Sequence, residues 1–186
     1  MTMYGEVFYS GEVLPDLTPD FCEAIMQLSG NIGEQESKVL GGKDNVRTNS
    51  IFPIENEDFK KVMFSWIQKA NFQCGWWFDL LGMENLQLSK YTEGEKYGWH
   101  YDMMPGNKTR KLTFTASLND DYEGGDFQFS WGQPNWKYKK RIIEEPALKT
   151  KGKFIVFPSY YFHRVMPVTK GTRYSLTGWA YGPPFR

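Results

Sequence analysis

From Leu86 to Tyr181 the chain is cut into short extended segments by Gly, Pro and Asn-Asp, and this spacing constrains the fold more than any other feature. Runs rich in aromatic and β-branched residues between such turn signals predict strands. They fall at Leu86–Tyr91, Tyr97–Met103, Lys111–Leu118, Asp126–Ser130, Tyr138–Glu144, Lys153–Phe157, His163–Pro167 and Arg173–Tyr181. So many strands, so closely spaced, predict a mainly β barrel or jelly roll. Alternation adds a second constraint, because successive side chains on a strand point to opposite faces. On Lys111–Leu118, Leu112, Phe114, Ala116 and Leu118 share one face, and Thr113, Thr115 and Ser117 share the other. On Arg173–Tyr181, Arg173, Ser175, Thr177 and Trp179 alternate with Tyr174, Leu176 and Ala180. An all-apolar barrel interior is excluded. The polar faces either meet water or line a polar ligand cavity while the apolar faces pack under helices. We expect the second arrangement, because amphipathic helices need a sheet to cover.

Such helices lie upstream. Thr18 and Pro19 form an N-cap and first helical position, followed by Phe21, Cys22, Ile25, Met26 and Leu28 as an apolar stripe. A second helix is predicted from about Asn56 to Phe72, with Phe59, Val62, Met63, Trp66, Ile67 and Ala70 on one face. Tyr4–Phe8 and Glu12–Leu14 read as short extended pieces, Asn31–Asn49 as a polar connection, and Cys74–Leu80 as a strand. A chain of 186 residues is the length of a single domain. Residues 1–85 are expected to support a β core at 86–181.

Twenty-two Lys+Arg balance twenty-two Asp+Glu, which argues against a protein that coats nucleic acid through long-range attraction. No run approaches the ~18 apolar residues of a membrane span. The start, Met1-Thr-Met-Tyr-Gly-Glu, lacks a secretory pattern. Cys22 and Cys74 have no metal or redox spacing and read as buried thiols, so a cytoplasmic location is expected. The basic run Lys137–Arg141 reads as a solvated edge strand. Gly124-Gly125 reads as a hairpin turn, and Tyr160, Tyr161 and Phe162 as core. Met103–Thr109 and Trp131–Trp136 are candidate lids; Trp131 and Trp136 could stack on a substrate ring or close the barrel end.

Histidine is scarce: there are only two, and both fall in the β-rich region. His100 and Asp102, two apart on a predicted strand, project to the same side. His163, far along the chain, can join them if the sheet rolls up. Two His and one carboxylate on one face of an octahedral ion leave three open positions, the arrangement of non-haem Fe(II) oxygenases. Zinc would also accept these ligands, although it usually keeps one open site. Arg173 sharpens the reading. A guanidinium on the cavity side of a strand needs a counter-charge, which the far carboxylate of 2-oxoglutarate would supply. An ordinary salt bridge to Asp or Glu is the alternative.

These residues resemble the iron(II)- and 2-oxoglutarate-dependent dioxygenases, and within them the prolyl 4-hydroxylase-like branch with its PKHD-type members. The resemblance runs through Leu86-Gln-Leu-Ser-Lys-Tyr-Thr-Glu-Gly, Tyr97-Gly-Trp-His-Tyr-Asp, Arg110–Asp126, Phe157-Pro-Ser-Tyr-Tyr-Phe-His-Arg-Val-Met-Pro-Val and Gly171-Thr-Arg-Tyr-Ser-Leu-Thr-Gly-Trp. It implies a double-stranded β-helix with N-terminal helices on its larger sheet. It further implies His100, Asp102 and His163 as iron ligands, with Arg173 and Thr177 binding the 2-oxoglutarate tail. Tyr91 matches a tyrosine lining the cofactor pocket, and Arg110 and Trp179 match positions beside substrate. Some prolyl hydroxylases carry a second tyrosine where this chain has Ser117, so Thr113, Ser117 or water is expected to complete that site.

The implied reaction hydroxylates an unactivated C–H, that of a prolyl residue in a peptide or protein, and releases succinate and CO2. Its cosubstrates are 2-oxoglutarate and O2, its metal Fe(II), with L-ascorbate as a candidate reductant. A free amino acid is the rival substrate. Nucleic-acid demethylases typically place a second arginine where this chain has Trp179, which argues against them. A non-enzymatic β-barrel binding module would carry the same residues without turnover.

Overall fold

The computed structural model describes residues 7–11, 13–30, 35–36, 47–103, 109–130 and 142–185. Thr18 and Asn56 start the two helices. The Thr18 hydroxyl accepts from the Phe21 amide at 3.2 Å, and Pro19 opens α1 (Pro19–Gln27). The Asn56 side chain accepts from the Asp58 and Phe59 amides at 3.1 and 2.9 Å and starts α2 (Glu57–Gln73), whose first turn carries Glu57 and Asp58. Each helix buries one stripe: Cys22 and Ile25 from α1, and Met63, Ile67 and Ala70 from α2. Val62, expected on the inner face, is 47% exposed, one position off that stripe.

The described strands, in chain order, begin with β1 (Phe8–Tyr9), β2 (Gln35–Glu36), β3 (Ser50–Ile54), β4 (Gly82–Met83) and β5 (Leu86–Tyr91). Then come β6 (Tyr97–His100), β7 (Thr109–Ser117), β8 (Glu123–Gly124), β9 (Phe127–Ser130) and β10 (Ile142–Glu144). The last are β11 (Phe154–Pro158), β12 (Phe162–Val165), β13 (Val168–Lys170) and β14 (Arg173–Gly182). A large sheet runs β1-β11-β7-β14-β5-β3-β2, with β4 also on β14; a smaller one runs β10-β9-β12-β6; β13 pairs with β8. Every pairing is antiparallel, and few sequential strands are neighbours, so the chain crosses repeatedly between sheets.

The two faces of the large sheet divide as their alternation requires. Leu112, Phe114, Ala116, Leu176 and Ala180 join Ile25, Ile67 and Ala70 in one apolar cluster, so both helices cover this face. Phe154 sits at its centre, stacked on Trp66 at 5.2 Å and 5.0 Å from Phe114. On the opposite face, Thr113, Thr115, Arg173, Ser175, Thr177 and Trp179 line a cavity closed by the smaller sheet. A second apolar cluster, including Phe127, Phe129, Phe157 and Val165, packs beside that cavity.

Several expected elements differ. Cys74–Leu80 is not a strand: Gly75 and Trp77 take positive φ angles of 67° and 54°, which extended backbone does not allow. The Asn71 amide clips the segment to α2 through both backbone groups of Phe78, at 2.9 and 3.0 Å. Glu12–Leu14 is likewise no strand: Val13 and Leu14 form a bend, and Glu12 lies outside the described residues. The strand expected to reach Met103 ends at His100. Gly124-Gly125 is no hairpin turn; Gly124 pairs with Val168, and a Cβ on Gly125 would press within 2.9 Å of the Arg173 side chain. Tyr160 is 43% exposed rather than core, because it turns the chain between β11 and β12. Cys22 is buried and Cys74 only half-buried; burial pushes both thiols up, and both are free. The runs Lys137–Arg141 and Trp131–Trp136 lie outside the described residues, as do residues 1–6 and most of the polar connection and the first candidate lid. Among the described residues no helix is long and apolar enough to cross a membrane.

Candidate metal centre and its cavity

His100 closes β6 and His163 lies on β12, and the two are direct partners across that antiparallel pair. Register alone therefore brings the imidazoles together, with ring centroids 4.1 Å apart. Asp102 leaves the ladder two residues later, held by its own amide on the Ser159 carbonyl at 2.9 Å. Its Oδ1 lies 3.7 Å from His100 Nε2 and its Oδ2 3.5 Å from His163 Nε2. One ligand atom from each residue falls within 4.8 Å of the others, a spacing that one small cation can span.

The imidazoles are oriented for ligation. Nδ1 of His100 donates to the Gly98 carbonyl at 2.8 Å, and Nδ1 of His163 to the Tyr161 carbonyl at 2.9 Å. A carbonyl can only accept, so in each neutral ring the proton sits on Nδ1 and Nε2 keeps its lone pair. Burial, reinforced by the neighbouring His163, lowers the His100 pKa to about 3, which keeps it neutral at physiological pH. Tyr97 stacks on His100 at 3.5 Å, nearly parallel. Burial raises the Tyr97 phenol to about 12.

Burial alone would raise the Asp102 carboxyl. His163 and His100 facing it, with help from Trp179 and Thr113, outweigh burial and hold it below the usual carboxylate range. The Thr113 hydroxyl donates to Asp102 Oδ2 at 2.8 Å and is 2.9 Å from the Ser159 hydroxyl. The buried Trp179 indole N–H faces Asp102 as well, but outside ordinary hydrogen-bond geometry.

The cavity measures about 800 Å³. Arg173, 1% exposed, enters it from the first residue of β14. Its Nη1 donates to Ser175 Oγ at 3.1 Å, its Nε has no partner, and no carboxylate pairs with it among the described residues. The guanidinium lies 5.4 Å over the ring of Tyr91, its register partner on β5. An uncompensated buried cation is costly, so this geometry calls for an anionic ligand. The site fits an Fe(II) ion at the His-Asp-His cluster and a dicarboxylate whose far end meets Arg173. A salt-bridged structural arginine, the alternative open from sequence, is not what the described residues show.

The remaining candidates divide. Tyr91, Thr113, Thr177, Arg110 and Trp179 line the cavity; Ser117 does not. Ser117 is fully buried beyond the cavity's end and donates to the Asn119 carbonyl at 2.9 Å, so its hydroxyl is already engaged. The Thr113 hydroxyl faces Asp102, so its contact is with the carboxylate of the candidate metal cluster. Arg110 makes a two-pronged pair with Glu84 at 2.8 and 2.5 Å and lies 4.0 Å over the Trp179 ring. Phe162, expected in the core, lines the cavity instead.

Ser175, Ser159, Glu84 and Arg47 were not among the expected site residues. Ser175 was legible, since it shares a face with Arg173 and Thr177. Ser159, Glu84 and Arg47 reach the site from distant elements, and no local pattern marks them.

A family model described as 2OG-Fe(II) oxygenase superfamily matches residues 86–181, and the chain belongs to that family. A PKHD-type hydroxylase of Idiomarina loihiensis is 35% identical over 98 residues, 50% of this chain and 39% of the relative. One of Parvibaculum lavamentivorans is 36% identical over 100 residues, again 50% of this chain and 39% of the relative. The chain thus matches about two fifths of the length of these curated relatives. Among solved structures, a prolyl-4-hydroxylase of Pseudomonas putida is similar with a TM-score of 0.72 at 18% identity, over 94% of this chain and 91% of that one. A prolyl hydroxylase from Trichoplax adhaerens, in complex with a hypoxia inducible factor peptide, gives 0.72 at 17% identity over 95% and 84%. The two sheets are therefore the double-stranded β-helix of this family.

Proposed function

We propose that this protein is an Fe(II)- and 2-oxoglutarate-dependent dioxygenase that hydroxylates a prolyl residue in a peptide or protein, releasing succinate and CO2. His100, Asp102 and His163 would hold the iron through Nε2, a carboxylate oxygen and Nε2. Arg173 would receive the far carboxylate of 2-oxoglutarate, with Thr177 and Tyr91 beside it. When bound, iron, 2-oxoglutarate and O2 together supply the oxidising chemistry that replaces C–H by C–OH. The chain's own work is positional. Gly98 and Tyr161 carbonyls fix the two ring tautomers, Thr113 fixes the carboxylate, and the buried walls exclude water. Residues 1–85 would serve as the support of a catalytic core at 86–181, and L-ascorbate as a reductant.

The observation that carries the reading is Arg173: a buried guanidinium with no carboxylate partner among the described residues, in the same cavity as the His-Asp-His cluster. The prolyl substrate is supported by what the similar proteins are called, the Trichoplax protein being described with a peptide bound.

The test is anaerobic loading with Fe(II), then addition of O2, 2-oxoglutarate and a proline-containing peptide library. Succinate formation with a peptide mass gain of one oxygen is expected. Metal-independent succinate formation, or none, would remove the oxygenase reading. Oxidation of free amino acids but of no peptide would replace the substrate.

A further inference from the structure

We propose that Arg47 is a specificity-determining residue that selects substrates carrying a carboxylate next to the C–H to be oxidised; this rests on the oxygenase reading above. Arg47 lines the same cavity and lies 4.6 Å over the face of Tyr97, whose other neighbour is the His100 ring. One aromatic ring therefore separates this guanidinium from a metal ligand. Its backbone is pinned by a bridge to Tyr97, and its Nε donates to Asn49 Oδ1 at 2.7 Å. Asn49 is 3% exposed and in turn donates to the Ser50 carbonyl. A buried neutral amide thus aims Arg47 without cancelling its charge. Among the described residues no carboxylate pairs with it, and its terminal nitrogens carry no hydrogen bond.

Charge balance in the loaded cavity identifies what Arg47 is for. Fe(II) brings two positive charges and Asp102 one negative. The two negative charges of 2-oxoglutarate and the positive charge of Arg173 bring the total to zero. Arg110 is neutralised by Glu84. Arg47 is then the one charge among the described cavity residues left without a counter-charge. A half-buried arginine, stacked on an aromatic face with free terminal nitrogens, is a fork for a carboxylate. That group could be an Asp or Glu side chain flanking the reacting residue, or the α-carboxylate of a free amino acid. Either would lie on the His100 side of the cavity.

The test measures binding, by tryptophan fluorescence under argon, to protein loaded with Fe(II) and 2-oxoglutarate. The probes are end-capped prolyl peptides with Asp or Asn, and Glu or Gln, at each flanking position, together with L-proline and L-prolinamide. Wild type is expected to bind one acidic probe about ten-fold or more tighter than its neutral isostere, with the preference shrinking as salt rises. Arg47→Gln should bring that ratio close to one, Arg47→Lys should keep part of it, and Arg47→Glu should reverse it. Both probes are measured on the same preparation, so a folding loss moves them together and leaves the ratio intact. Preference in the flanking pairs assigns a peptide side chain; preference for L-proline over prolinamide assigns an α-carboxylate. No preference in wild type, or one that survives in Arg47→Gln, overturns the proposal. Product mass spectrometry separates the two readings. An acidic peptide that binds through Arg47 and is never oxidised counts against the hydroxylase reading alone, whereas peptides oxidised without regard to charge count against Arg47 alone.

Discussion

The Thr113 hydroxyl lies 2.8 Å from Asp102 Oδ2 and 2.9 Å from Ser159 Oγ, so a residue of the large sheet holds the carboxylate that sits between two histidines of the small one. Asp102 lies past the end of β6, where the ladder no longer orients it, and this hydrogen bond replaces that restraint. Thr113→Val keeps the shape and removes the donor. Groups that orient a metal ligand typically contribute 10–100-fold in affinity. We expect Thr113→Val to weaken Fe(II) binding by about that factor, and Thr113→Ser to recover most of it, in anaerobic calorimetric titrations. Equal affinity in wild type and Thr113→Val would show that Asp102 needs no such support.

Arg173 yields a prediction with two opposite signs. Its charge is buried beside Ser175 and Tyr91 with no carboxylate partner among the described residues, so it costs stability when the cavity lacks an anion. Arg173→Met should melt at or above wild type in the absence of 2-oxoglutarate. It should also lose the rise in melting temperature that 2-oxoglutarate gives wild type, because ligand binding to the native state is what produces that rise. Charged hydrogen bonds contribute roughly 1.5–3 kcal/mol each, so 2-oxoglutarate affinity should fall at least about ten-fold. A variant that melts lower but binds the dicarboxylate normally would assign Arg173 a structural role.

Metal removal gives the third expectation. A ligand present at about 100 times its Kd stabilises a native state by about 2.7 kcal/mol. For a chain of this size that corresponds to roughly 5–10 °C in melting temperature. Chelation of the iron-loaded protein should lower the transition by that amount, and Fe(II) should restore it. His100→Ala, Asp102→Asn and His163→Ala should each abolish both the shift and succinate formation, since each removes one of the three donors that cluster among the described residues. A shift that persists in all three would move the metal elsewhere.

How much of this was legible beforehand follows from which interactions are local. Thr18 and Asn56 announce their helices because a cap acts within three residues. The cavity face of β7 and β14 follows from a two-residue period, which is why Thr113, Arg173 and Thr177 were placed together. Pairing His163 with His100 depends on register between distant strands and needed family resemblance as well as spacing. Ser117 misled because alternation assigns a face but not how far along it the cavity extends. Cys74–Leu80 misled because its aromatic residues suit a strand, while the positive φ at Gly75 and Trp77 is set by the Asn71 clip from α2. Glu84 and Arg47 act across the fold, and nothing adjacent to them marks that.

The division of the large sheet into a helix-covered face and a cavity face gives the last prediction. Phe154 belongs wholly to the covered face: it is fully buried, stacks on Trp66 of α2, and touches Phe114 and Phe8. Truncating such a residue loses its transfer free energy and leaves a void that the antiparallel sheet around it cannot collapse to fill. Phe154→Ala should therefore destabilise the protein by about 3–5 kcal/mol, and Phe154→Leu by less, as read from urea midpoints at constant slope. Because the cavity lies on the other side of the sheet, the folded fraction of Phe154→Leu should bind Fe(II) as wild type does, whereas Thr113→Val should show the converse pattern. If the two variants instead change stability and metal affinity in parallel, the two faces are mechanically coupled and the helices contribute directly to the geometry of the metal centre.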